Sequence, residues 1–358
     1  MRILIVGQGL AGSALAWRLL HAGADCLVVD RPVGETASRV AAGLVNPLNG
    51  RKVRPEWRQE ECLPAADAYY RETERELGGS WWQPVPIWRE TEPGEQEELW
   101  HERQTDPASC RYAGPLLPWP EGWAGLGHAA YTRGGAVLHA EALVDAQREW
   151  LRARGTLCEA SVDPADVEER AGQIVWRGEV FRCVVWCTGY EVASALDLPA
   201  LSSRLSKGTI VDIELPGFRW DAGVLHFGHW LVRRGSSWRL GATYEWTWAE
   251  PGEAEAPAVQ ELFCDLQRRY AGEVRFVRAR AAVRPIIRYS QPVAGPLPGR
   301  PGHYVFSGLG SRGVATSPWV SALLAAHLLD GSPLPDDVDP LPLWQRWEKA
   351  CARASLRG

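Results

Sequence analysis

The apolar run Ile3-Leu4-Ile5-Val6 passes directly into Gly7-Gln8-Gly9-Leu10-Ala11-Gly12. A G-x-G-x-x-G turn in that position leaves little choice of fold. The first glycine makes a tight turn out of a strand, the second lets backbone approach a pyrophosphate, and the third lets a helix pack closely on the strand. Residues 10–22 place apolar side chains at helical intervals and stop at Gly23, a helix C-terminal signal. Residues 25–30 form a second apolar strand that ends in Asp30, 18 positions after Gly12. A phosphate group would sit at the N-terminus of helix 10–22, where unpaired N–H groups and the helix dipole favour anions. Asp30 can accept hydrogen bonds from ribose hydroxyls. It does not separate NAD from FAD. It disfavours NADP, although Arg31 follows it.

Both strands are continuously apolar rather than alternating, which predicts a parallel sheet covered on both faces. Helices are expected at 62–79, 139–154, 257–271 and 316–330, and buried strands at 182–187 and 303–307. Segments 209–214 and 237–244 alternate, as in an antiparallel sheet. Residues 80–132 are rich in Trp, Pro and Glu and show little period. The predicted fold class is therefore α/β: a Rossmann-type parallel sheet with helices on both faces, and a discontinuous antiparallel-sheet domain. The cofactor domain is expected over 1–79, 133–200 and 300–345, the substrate domain over 80–132 and 201–299, and a tail over 346–358.

Net charge is −5 among 358 residues, so bulk electrostatics gives no reason to expect nucleic acid or an anionic membrane as partner. No apolar run approaches the length of a membrane span, and the N-terminus lacks a signal-peptide layout, so a cytoplasmic protein is expected. The eight cysteines are scattered without a CxxC, so neither a disulfide framework nor a zinc or other metal site is expected. Two biases stand out: 19 Trp against 6 Phe and 9 Tyr, and only three lysines (Lys52, Lys207, Lys349) among 39 basic residues. Codon drift in a GC-rich genome accounts for both. So does a pocket that uses indole faces and guanidinium forks.

Later segments resemble one family, the D-amino acid oxidase/glycine oxidase superfamily of FAD-dependent amine oxidoreductases. The resemblance covers nearly the whole chain, least clearly 80–132. Its motifs are the N-terminal fingerprint; the small-residue loop Ala37-Ser38-Arg39-Val40-Ala41-Ala42-Gly43-Leu44; Gly134-Gly135 leading into Leu143; the strand Val184-Val185-Trp186-Cys187 ending in Thr188-Gly189; and the C-terminal set Val283-Arg284-Pro285, Pro292 to Pro296, and Gly308-Leu309-Gly310-Ser311-Arg312-Gly313 before a helix. The resemblance implies FAD contacts at Gly7, Gly9, Leu10, Ala11, Gly12, Asp30, Arg31, Ser38, Ala41, Ala42, Gly43, Thr188, Gly189, Gly308, Gly310, Ser311, Arg312 and Gly313, with Val162 against the adenine. No cysteine lies between 284 and 315, where covalent-flavin relatives attach the cofactor, so FAD is expected to be non-covalent.

On the substrate side the resemblance places Trp230 and Tyr244 in the pocket wall and Arg284 and Arg312 near the substrate. Arg284 would bind its carboxylate, because a planar guanidinium offers two parallel donors. Arg278, Arg280 and Arg288 crowd the same stretch and are alternatives. His226 and His229 are candidates to deprotonate an amine. The implied activity is oxidation of the C–N bond of an amine or amino acid, a hydride passing from Cα to flavin N5, with imine hydrolysis and reoxidation by dioxygen or another acceptor. A tRNA-modifying flavin oxidoreductase acting on carboxymethylaminomethyl-uridine is a second reading, disfavoured by the absence of a basic run. A flavoprotein without turnover is a third. If Trp220, Trp230, Trp238, Trp246 and Trp248, and those of the 80–132 insert, line the cavity, the substrate is bulkier or more aromatic than glycine.

Overall fold

A computed structural model describes residues 2–32, 34–201, 205–287 and 291–355. Arg288 lies outside the described residues.

The expected β-α-β unit is strand Ile3–Val6, helix Leu10–His21 and strand Cys26–Asp30. The two strands pair in parallel, Ile3 opposite Cys26. They lie in a six-stranded sheet ordered 157–159, 26–30, 3–6, 183–186, 303–307, 293–296. Every neighbour pair is parallel except the last, where Val293–Pro296 returns antiparallel along His303–Ser307. The central strands Ile3–Val6 and Cys183–Trp186 are buried on both faces, as their unbroken apolar content requires. One face packs on helices Leu10–His21, Gln59–Leu77, Ala140–Ala153 and Gly313–Asp330. The other is covered by the meander 168–181 and the start of helix Pro340–Ser355, which runs across position 346.

The second sheet has eight strands, ordered 275–284, 206–214, 237–241, 229–234, 224–227, 87–91, 128–132, 113–117. Its pairs are antiparallel except Val224–Phe227 with Ile87–Thr91. Three strands therefore come from the Trp-rich region 80–132. That region also holds a helix the sequence reading left out, Glu95–Thr105. Its sequence is polar on every side, and the helix is held by one fully buried side chain, Trp100, whose indole N–H donates to the Gly114 carbonyl (2.9 Å). A helix anchored by one residue has no apolar stripe to read.

Candidate active site

The C-terminal ends of strands 3–6, 26–30 and 183–186 open into one cavity of about 850 Å³ that continues to the face of the eight-stranded sheet. This is the crevice position at which α/β sheets bind ligands, and the volume is near the top of the roughly 300–1,000 Å³ range of cofactor and small-molecule sites.

At the strand end, Gly7 adopts φ +101°, and a Cβ there would lie 2.5 Å from the Cys187 carbonyl oxygen. A Cβ on Gly9 would fall 2.8 Å from Ser38 Oγ, the hydroxyl that accepts the Leu10 N–H (3.0 Å). Gly7, Gln8, Gly9, Leu10 and Ala11 line the cavity, and the two glycines bring no side chain to it. Gly12 is not in the cavity wall. A Cβ there would sit 1.9 Å from the Gly7 carbonyl, so its part is close helix–strand packing. Gly308 is likewise behind the wall, at φ +74° against Ile287, whereas Gly310, Ser311, Arg312 and Gly313 line it at the N-terminus of helix Gly313–Asp330.

Asp30, Arg31 and Val162 line the same end. One Asp30 oxygen takes Arg148 Nη1 (2.8 Å). The Arg148 guanidinium is buried and also holds Glu159 (2.9 Å), Gln8 Oε1 (3.2 Å) and the Arg31 carbonyl (3.2 Å). Sequence reading missed Arg148, because its partner lies 118 positions away on another element. Arg31 pairs with Glu191 (2.8 Å), whose hydrogen bond raises the guanidinium's proton affinity further. Thr188 and Gly189 line the opposite wall, and Thr188 Oγ1 is buried there without a hydrogen-bond partner.

Ser38, Ala41, Ala42 and Gly43 form the middle of the wall. Their segment is fastened from two sides. Arg280 of the eight-stranded sheet holds Glu35 (2.9 Å) and Glu141 (2.8 Å), while Arg39 holds Asp145 (3.1 Å) on helix Ala140–Ala153. Arg280 and Arg278 are thereby committed, the latter to Asp212 (2.8 Å).

At the far end, Arg284 donates through both terminal nitrogens to the Thr243 carbonyl (3.1 and 3.2 Å) and stacks on the Tyr244 ring, its carbon 4.6 Å from the centroid. Among the described residues no carboxylate pairs with it. Partial burial pushes its proton affinity down, but a guanidinium stays charged, so a part-buried cation faces the cavity. Arg312 differs, being ion-paired with Glu56. Tyr244 and Trp230 also line this end, and so does His226. Burial, with the neighbouring Arg89 charge, pushes the His226 pKa down to about 3, so the imidazole is neutral and too weak to take a proton from an amine at neutral pH. His229 is not in the wall. It faces Glu261 (3.5 Å) and Asp265 (3.8 Å) on helix Ala256–Gln267. The condition for a bulky, aromatic substrate is not met: of the tryptophans in the sheet and the insert, Trp230 alone is in the wall. Trp88, Trp119, Trp123, Trp220 and Trp238 cluster in the hydrophobic core between the sheet and helix Ala256–Gln267.

A family model described as FAD dependent oxidoreductase matches residues 2–327. The chain belongs to this family of FAD-dependent oxidoreductases. Solved structures of similar fold include iminodiacetate oxidase from Chelativorans sp. BNC1 (TM-score 0.77, 21% identity, 95% of this chain and 100% of that one). Glycine oxidase from Geobacillus kaustophilus is another (0.79, 19%, 96% and 98%), as is L-proline dehydrogenase from P. horikoshii (0.79, 14%, 98% and 98%). The cavity of this FAD-dependent oxidoreductase fits its cofactor. It has a glycine-opened strand–helix turn for a pyrophosphate, an acid at the second strand end for a ribose, and a second helix N-terminus farther along the same wall. Among the described residues, no helix is long and apolar enough to cross a membrane.

Proposed function

We propose that the protein oxidises the C–N bond of an amine that carries a carboxylate, giving an imine that water hydrolyses, with dioxygen as the final electron acceptor. The observation that carries this reading is Arg284: a part-buried guanidinium at the end of the cofactor cavity, with no carboxylate partner among the described residues. A partly desolvated cation without a counterion gains from a carboxylate, and a substrate carboxylate supplies one on binding. FAD, when bound, supplies the two-electron acceptor. The Thr243 carbonyl and the Tyr244 ring fix the guanidinium plane, so a bound carboxylate is held in one orientation. Neutral His226 offers a ring nitrogen for hydrogen bonding rather than a base, so the amine loses its proton to solvent before it binds. Trp230 and Tyr244 close the sides.

We read Gly7, Gly9, Leu10, Ala11, Asp30, Ser38, Ala41 to Gly43, Val162, Thr188, Gly189 and Gly310 to Gly313 as the residues that hold FAD, with the chain divided into cofactor and substrate domains near the boundaries given above. Cys62 and Cys187 are the cysteines in the wall; burial pushes the Cys62 thiol up to about 12 and Cys187 higher, so neither offers a thiolate and FAD is held non-covalently.

The test is anaerobic bleaching of the flavin absorbance by glycine, sarcosine, D- and L-amino acids, and the corresponding amines without a carboxylate. Faster reduction by the carboxylate-bearing members is expected. Equal or faster reduction by the simple amines would overturn the reading.

A further inference from the structure

Two arginines of the eight-stranded sheet reach across to the backbone of the cofactor loop. Arg239 Nη1 donates to the Ala41 carbonyl (3.3 Å), and Arg234 Nη2 donates to the Ala42 carbonyl and to that of Leu138 (3.2 Å). In a trans peptide the C=O and the following N–H point in opposite directions. Carbonyls turned toward the arginines therefore turn the Ala42 and Gly43 N–H groups away from them, on the side where Ala41, Ala42 and Gly43 line the cavity. No acceptor among the described residues takes either N–H. Gly43 could carry no side chain, since it has φ +72° and a Cβ there would meet the Leu138 carbonyl at 1.8 Å.

The two cations are not equivalent. Arg239 is paired with Asp212 (2.7 Å), a carboxylate it shares with Arg278, whereas Arg234 has no carboxylate partner among the described residues, and its Nη1 is buried without any acceptor. Burial above all, then the charges of Arg234 and Arg239, push the pKa of nearby His139 down to about 4.

We infer that Arg234, assisted by Arg239, is a positioning residue that aims two peptide N–H donors at the cofactor and so favours its reduced, more negative form over the oxidised one. The donors and the uncompensated charge act in the same direction on whatever electron-rich edge of FAD lies against Ala42 and Gly43. This rests on FAD binding by the family fold and not on the identity of the substrate.

The test uses Arg234→Met and Arg234→Lys holoenzymes. The dissociation constant of oxidised FAD is read from flavin fluorescence and the two-electron midpoint potential by equilibration with a reference dye. In Arg234→Met the ratio of reduced to oxidised FAD dissociation constants should rise about tenfold, the weight of one charge-assisted hydrogen bond, which equals a fall of about 30 mV for a two-electron couple. Arg234→Lys keeps the charge on a shorter side chain whose ammonium can still donate to a carbonyl, and should fall by less. If Arg234→Met does not fold, the lysine variant carries the test in the same direction. An unchanged potential in whichever variant binds FAD overturns the inference. So does an equal loss of affinity for both forms, which would make Arg234 a scaffold only.

Discussion

Arg284 reaches its position because Gly208 has no side chain: a Cβ there would lie 1.9 Å from Arg284 Nη2 and 2.4 Å from Cζ. The two stand on neighbouring strands, with Gly208 opposite Ala282 and Ser206 opposite Arg284.

Gly208→Ala should therefore act on substrate binding rather than on folding, because the clash falls on the movable end of a side chain. Displacing the guanidinium should raise the apparent KM for a carboxylate-bearing substrate by roughly tenfold or more while FAD content stays unchanged. Arg284→Met should lower kcat/KM by roughly a hundredfold, within the range for removing one partner of a desolvated charge pair. Steady-state kinetics with flavin content measured in parallel checks both. A Gly208→Ala enzyme with unaltered KM would separate position 208 from the site.

Arg148 fixes Asp30 from behind, so Arg148→Met should weaken FAD binding although the residue itself is buried away from solvent. An increase of roughly tenfold in the FAD dissociation constant is expected, about one charge-assisted hydrogen bond. Equilibrium titration of apoprotein with FAD measures it. Unchanged affinity would show that Asp30 keeps its orientation unaided.

Lys207 is fully buried between Glu255 (2.6 Å) and Glu245 (3.2 Å), and Glu245 in turn accepts from Thr209 Oγ1 (2.7 Å) and Thr243 Oγ1 (2.6 Å). Removing the ammonium in Lys207→Met leaves two carboxylates facing each other. Unfolding by urea should show a loss of roughly 3 kcal/mol, at the low end for a broken buried pair because Glu255 reaches water. A loss below the error of the extrapolation would mean that the carboxylates relax into solvent.

Stability should fall on the acid side for a specific reason. Burial holds His226 at about 3 and His139 at about 4 in the folded chain, below the ordinary histidine value near 6.5. Between those limits the unfolded chain binds more protons, so stability rises with pH, reaches its full value above about 6.5 and is lost as pH falls toward 3. Each histidine contributes a slope of up to about 1.4 kcal/mol per pH unit. The gap between urea midpoints at pH 7 and pH 5 should narrow in His226→Gln, His139 keeping its own share. A slope equal to that of the parent would assign the acid sensitivity to other groups.

The cofactor half of this architecture is legible in sequence because its determinants are local. Strand, glycine turn, helix and Asp30 follow one another within 30 residues, and the apolar runs state their own burial. What stays hidden is long-range. Nothing near Asp30 announces Arg148, and nothing near Ala42 announces Arg234, 192 positions later. The tryptophans mislead for a related reason: composition reports that indoles are abundant, but only strand register decides that Trp230 faces the cavity while Trp238 packs in the core. The arginine bias divides in the same way. Arg89, Arg234 and Arg284 all donate to backbone carbonyls, and Arg89 and Arg284 do so through both terminal nitrogens, a two-pronged contact that the scarce lysines could not reproduce.

The ion pairs of Glu35 and Arg39 govern more than shape. Because the wall segment carrying Ser38 to Gly43 is riveted to Arg280 on one side and Asp145 on the other, ionic strength acts on that wall: raised salt should loosen it and weaken its hold on the cofactor.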